Sequence, residues 1–188
     1  MKSAQDANGS GDYWSDFRGD RTFDHFSDAE RAFIADRDSF YMATVSETGW
    51  PYIQHRGGPK GFVRALDDKT LGFADFSGNR QYISVGNLAE NDRAFLFAMD
   101  YAHRRRVKIW GRARIVEGDE LLLGKLAVTG SRARVERAIL FDVDAWDVNC
   151  PQHIPQKIDA SDAAKAIDAL KARIAELEAE NASLRGAH

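Results

Sequence analysis

From Arg104 to Ile115 the chain alternates with a period of two: Arg104, Arg106, Lys108, Trp110, Arg112 and Arg114 fall on one side, Val107, Ile109, Gly111, Ala113 and Ile115 on the other. Only an extended strand separates neighbours in this way, so this segment predicts a sheet with one apolar and one wet face. Other segments repeat the signal. FYMATVS and WPYIQH flank Glu47-Thr48-Gly49 as a hairpin, and GFVRAL and LGFADF flank Asp67-Asp68-Lys69 as a second. AFLFAMDY is almost continuously apolar, and AILFDVDAW supplies a last strand. Helical signals are short. A capping box, Ser27 with Glu30, opens one helix ending near Asp38; GNRQYISVGNLAEN and DELLLGKLAV read as two more. Six or seven strands joined mostly by turns predict a mainly β protein with short helices, a small barrel rather than an alternating βαβ array.

At 188 residues the chain has room for one substantial domain plus extensions. The cationic face of the 104–115 strand invites a nucleic-acid reading. The net charge of −3 and the confinement of those cations to one strand argue against it, so nucleic acid is not expected as a partner. Neither an apolar leader nor a run of about 18 apolar residues occurs, which predicts a cytoplasmic protein with no membrane partner. One cysteine, Cys150, excludes an intrachain disulfide and a cysteine-rich zinc site, and the five histidines show no paired ligand spacing, so no metal is expected.

Three regions follow. Residues 1–22, polar and rich in Gly, Ser, Asn and Asp, are expected to be a mobile arm; 23–158 form the barrel; 159–188 form a coiled coil. In that tail Ile167, Ile174 and Asn181 take position a of a heptad and Leu170, Leu177 and Leu184 position d. Isoleucine at a with leucine at d favours two parallel strands, and a single Asn at a fixes register. Arg173 at g would face Glu178 at e of a partner helix, and Glu180 would face Arg185. The tail therefore predicts a homodimer. Its alternative is an amphipathic helix folded back on the barrel.

Candidate chemistry sits in three places. DFSGNRQYISVGNL joins a turn carrying Ser77 and Asn79 to a helix start carrying Arg80, Gln81 and Ser84, a set of donors suited to a phosphate, although taken alone an ordinary helix cap accounts for it better. HRGGPKG places Arg56 and Lys60 around two glycines, either for close approach to a ligand or as a solvated turn. In AWDVNCPQHI, Trp146 could stack on a planar heterocycle while Asn149 or Gln152 bonds its edge. Cys150 and His153 would be a nucleophile and base, but no neighbour orients them and Pro151 makes a rigid turn sufficient.

Taken in order, TGWPYIQH, the basic segment before GFVRAL, LGFADFSGNRQYISVGNLAEND and RRVKIWGRARIV with its internal Gly111 resemble the pyridoxamine phosphate oxidase-like FMN-binding family over about Asp28 to Ile158. The closing NCPQHI resembles a subgroup of that family whose substrates are unassigned. The resemblance implies a six-stranded split barrel, dimeric, with FMN at the subunit interface. It puts Arg56 and Lys60 near the phosphate or ribityl chain, Asn79, Arg80, Gln81 and Ser84 in the phosphate turn, and Asn87 in support of that helix. Arg105 and Arg106 fall where the family has the arginine and glutamine of an RQVRVEG-like strand, so a cation would face the ring edge and favour the reduced flavin. DVDAWDVNCPQHIPQK has no counterpart of the oxidase's RLHDR-like ending, which argues against pyridoxamine phosphate as substrate. The implied function is an FMN-dependent oxidoreductase passing hydride or electrons between the flavin and a small-molecule substrate or nicotinamide reductant. The alternatives are a non-catalytic flavin or haem sensor or store, and a deazaflavin (F420)-dependent reductase.

Overall fold

The structure, a computed structural model, describes residues 2–11, 23–78, 80–128, 135–148 and 151–186. Along the chain these are helix α1 (Lys2–Ala7) and helix α2 (Asp28–Ala35), then strands β1 (Ser39–Val45), β2 (Pro51–Gly57), β3 (Val63–Ala65) and β4 (Thr70–Phe76). Helix α3 (Ile83–Glu90), strands β5 (Arg93–Asp100) and β6 (Arg105–Val116), helix α4 (Glu120–Leu126), strand β7 (Val135–Val148) and helix α5 (Ala160–Gly186) follow. The protein is mainly β. Its strands form one antiparallel sheet in the order β2-β1-β5-β6-β7-β4-β3, curled as a split barrel, and the strand beyond the expected six is the three-residue β3.

The alternation that predicts β6 also positions it. Val107, Ile109 and Ala113 are buried inside, whereas Trp110, Arg112 and Arg114 are exposed outside. The register with β7 shifts between Trp110 and Gly111, and a Cβ at Gly111 would overlap the backbone carbonyl of Asp142, so the bulge that bends these strands needs a glycine. Inside, Phe40 stacks on Phe62 with ring centroids 5.5 Å apart and meets Phe73 edge-on at 5.0 Å. Met42, Leu71, Leu96, Ile139 and Phe141 complete this core. Burying each such side chain contributes about 1.5–3 kcal/mol.

Helix α2 closes one side of the core with Phe33 and Ile34. Ser27 and Glu30 form the predicted capping box in full, and Arg31 pairs with Asp28 at 2.8 Å. Just past its end, Arg37 donates to the Phe33 carbonyl at 3.1 Å, the Met99 carbonyl at 3.0 Å and the buried Asp100 carboxylate at 3.2 Å. Burial opposes ionisation of Asp100. Hydrogen bonds from the His103 backbone and ring, together with the Arg37 charge, outweigh that and hold its carboxyl below the usual range.

No described helix is long and apolar enough to cross a membrane. Helix α5, 27 residues at roughly 1.5 Å each, is a rod about 40 Å long. None of its residues is buried.

Candidate functional site

A cleft opens where the inner face of edge strand β2 meets the β4–α3 turn and the start of β7. Strand alternation supplies its first wall. Tyr52, Gln54 and Arg56 lie opposite Thr44, Met42 and Phe40 of β1 and so face inward, half-buried, while Pro51, Ile53 and His55 face out. Asp75 and Phe76 end β4 on the opposite wall, and Gly78, Arg80 and Tyr82 carry the chain across to α3.

The electrostatics centre on Asp75. It is almost wholly buried and ion-pairs with Arg56; the Arg137 guanidinium approaches its other oxygen at 3.6 Å. Pairing of β4 with β7 sets Asp75 directly opposite Arg137, which explains the second contact. Arg137 also meets Glu117 at 3.2 Å and Glu136 at 3.1 Å, and its guanidinium lies 4.8 Å from the Tyr82 ring centroid. Even so, the Nε atoms of both Arg56 and Arg137 are buried without a hydrogen-bond partner. The Arg137 Nε is the atom that faces Asp75 at 3.6 Å, beyond hydrogen-bond distance, so Asp75 is held by charge from both arginines.

The turn adds further donors. Arg80 and Tyr82 hold φ of 61° and 50°, the left-handed region that costs a residue with a side chain about 1–2 kcal/mol. Tyr82 is also the N-cap of α3 and makes no side-chain cap hydrogen bond, so the first-turn amides receive no oxygen from it. Deeper in, the buried Ser84 hydroxyl donates to Gln54 Oε1 at 2.8 Å, and the Asn87 amide donates to the buried Thr44 hydroxyl at 2.9 Å, which ties α3 to β1 and β2. The strained turn, the uncapped helix start, Arg56 and Arg80 offer donors of the kind an anionic group accepts from, beside the carboxylates of Asp75 and Glu136.

Of the residues singled out in the sequence, Arg56, Arg80, Gln81 and Ser84 line this cleft, Ser77 lies exposed in the turn beside it, and Asn87 anchors the helix below. Asn79 and Asn149 lie outside the described residues. Lys60 sits elsewhere. It pairs with Asp36 at 2.9 Å beyond α2, which raises its pKa above the ordinary lysine value, and borders a recess of about 410 Å³ at the root of α5. Trp146 is engaged within the chain: its indole donates to the His25 carbonyl at 2.8 Å and its ring packs on Phe23 and Phe26. Arg105 lies over the Phe33 ring at 5.2 Å, whereas Arg106 falls on the outer face near Phe97, its Nε buried and unpartnered. Alternation sends these two neighbours to opposite sides of β6, and neither lines the cleft. Sequence reasoning missed Arg137 and Glu136. Their signal was a charged pair just ahead of the apolar run 138–141.

The family model of pyridoxamine 5'-phosphate oxidase matches residues 26–150. No curated protein matches the chain. Among solved structures, HupZ of Group A Streptococcus is 20% identical over 71% of this chain and 99% of that one, with a TM-score of 0.53. An FMN-binding protein of Syntrophomonas wolfei is 13% identical over 64% of this chain and 83% of that one, with a TM-score of 0.51. At such identities these likenesses speak for the fold alone.

Proposed function

The chain belongs to the pyridoxamine 5'-phosphate oxidase family, and from that premise we propose that it is an FMN-binding flavoprotein whose phosphate site is the cleft lined by Arg56, Asp75 and Arg80. The observation that carries this reading is the convergence of Arg56 and Arg80 on one cleft beside a helix start that its own N-cap side chain leaves uncapped. One dianionic phosphate there would meet the Arg56 guanidinium and the first-turn amides of α3. Arg80 would close over it from the turn, and Ser84, held by Gln54, would keep the helix start at its distance.

A bound flavin supplies hydride or electron transfer, which makes an oxidoreductase acting on a small substrate the activity this site supports best. The outer face favours a homodimer around it. Tyr41, Ile53 and Trp110 are exposed there on paired strands, with Phe95 and Phe97 between them, an apolar area unusual for a surface that faces only water. Arg106 lies on that face and would be available to a ring held between two subunits.

The absorption spectrum of the purified protein, followed by titration with FMN and with riboflavin, tests the reading. Oxidised-flavin bands, with FMN bound far more tightly than riboflavin, support it. A Soret band would replace the flavin with haem, and preferential binding of F420 would replace FMN with a deazaflavin. A colourless protein that takes up neither flavin would overturn it.

A further inference from the structure

Helix α5 stands apart from the barrel and exposes an apolar seam that none of the described residues covers. Ile167 is 50% exposed, Leu170 64%, Ile174 54% and Leu184 62%, although these residues share one stripe. A stripe of two positions in seven is too narrow for a globular face and suits one helix of the same kind. The alternative of a helix folded back on the barrel is removed by the absence of any buried residue along α5. At its base the chain is held down: Ile154 is buried, Gln156 donates to the Ala102 carbonyl at 2.9 Å, and the Lys157 ammonium lies 4.1 Å from the Tyr101 ring centroid. The rod therefore leaves the barrel from a fixed point beside the β5–β6 turn.

We infer that α5 pairs with α5 of a second copy of this chain, parallel and in register, within a two-chain particle. This pairing does not require the flavin. Asn181 chooses the direction. In the single helix its amide turns back to the Leu177 carbonyl at 3.0 Å. In a parallel pair the two Asn181 amides meet at position a and satisfy each other; in an antiparallel pair that overlays residues 167–184 each would be set against the partner's Leu170, leaving a polar group against leucine. Charge agrees with the parallel choice, since Arg173 faces the partner's Glu178 and Glu180 faces the partner's Arg185. About three heptads form a weak pair when free in solution. Two rods rooted on one barrel dimer meet at an effective concentration in the millimolar range, which favours pairing inside the dimer over pairing between dimers.

Full-length protein with Cys150→Ser, carrying Leu184→Cys at a seam position or Ala179→Cys on the outer side, tests this by oxidation. The expected result is a covalent dimer for Leu184→Cys across dilution, no cross-link for Ala179→Cys, and a two-chain mass by light scattering for both. Leu170→Glu with Leu177→Glu added should abolish the cross-link. No cross-link at position 184, or its appearance only when Ile167→Cys is introduced alongside, would overturn the parallel register. A four-chain mass would overturn pairing within the dimer. The flavin spectrum of the same samples reports separately on the cofactor reading.

Discussion

Two helices of eight residues, α2 and α3, begin in opposite ways. Helix α2 is closed by its own side chains, with a complete capping box at the start and Arg37 bridging to Asp100 at the end. Helix α3 starts from a left-handed tyrosine that caps nothing, after an arginine also held left-handed. A helix that serves only to cover a core has every reason to satisfy its first amides internally. One whose N-cap side chain offers them nothing, on a strained turn beside Arg56 and Arg80, fits the proposed phosphate site.

That contrast can be broken most severely at the cleft. Arg56→Gln is expected to weaken FMN binding roughly 100-fold, the cost of one charge-assisted phosphate contact, while leaving riboflavin binding unchanged; titrations of both flavins measure it. Equal losses for the two flavins would move the phosphate elsewhere. Arg80→Gly should act in two directions at once. FMN affinity falls about tenfold as a cation is lost, and denaturant unfolding shows a gain of up to about 1 kcal/mol as left-handed strain is relieved. Loss of both stability and affinity would mean the turn is merely structural.

At the other helix the expected changes are smaller and purely structural. Ser27→Ala should cost about 1 kcal/mol, a drop of roughly 2–4 °C in Tm, with the FMN dissociation constant unmoved. The smallest change concerns the Asp100 contact with Arg37 and His103. Its folded pKa lies below the unfolded one, so the contact contributes stability above about pH 4, and that contribution fades as pH falls through the folded value. Denaturation of the protein and of Asp100→Asn should therefore differ at neutral pH and converge in acid.

Local chemistry was legible in the sequence; chemistry made by pairing was not. The two faces of β6 and the capping box of α2 follow from neighbours in the chain and appear in the structure as expected. Arg56, Arg80 and Ser84 were visible because each lies in or beside a turn with its own signature. Arg137 was not, since only the register of β4 on β7 brings it against Asp75. Trp146 read as a platform for a heterocycle because its partners, Phe23 and Phe26, lie more than a hundred residues away in the chain. Lys60 read as a phosphate ligand for the same reason: Asp36 meets it across the path between α2 and β3.

The stalk formed by α5 also changes how the particle moves through water. A rod of about 40 Å on a barrel head adds little mass and much friction. The molecule will sediment slowly and elute early for its size, so a retention volume alone would overcount its chains. A protein shortened after Lys157 would lose more drag than mass.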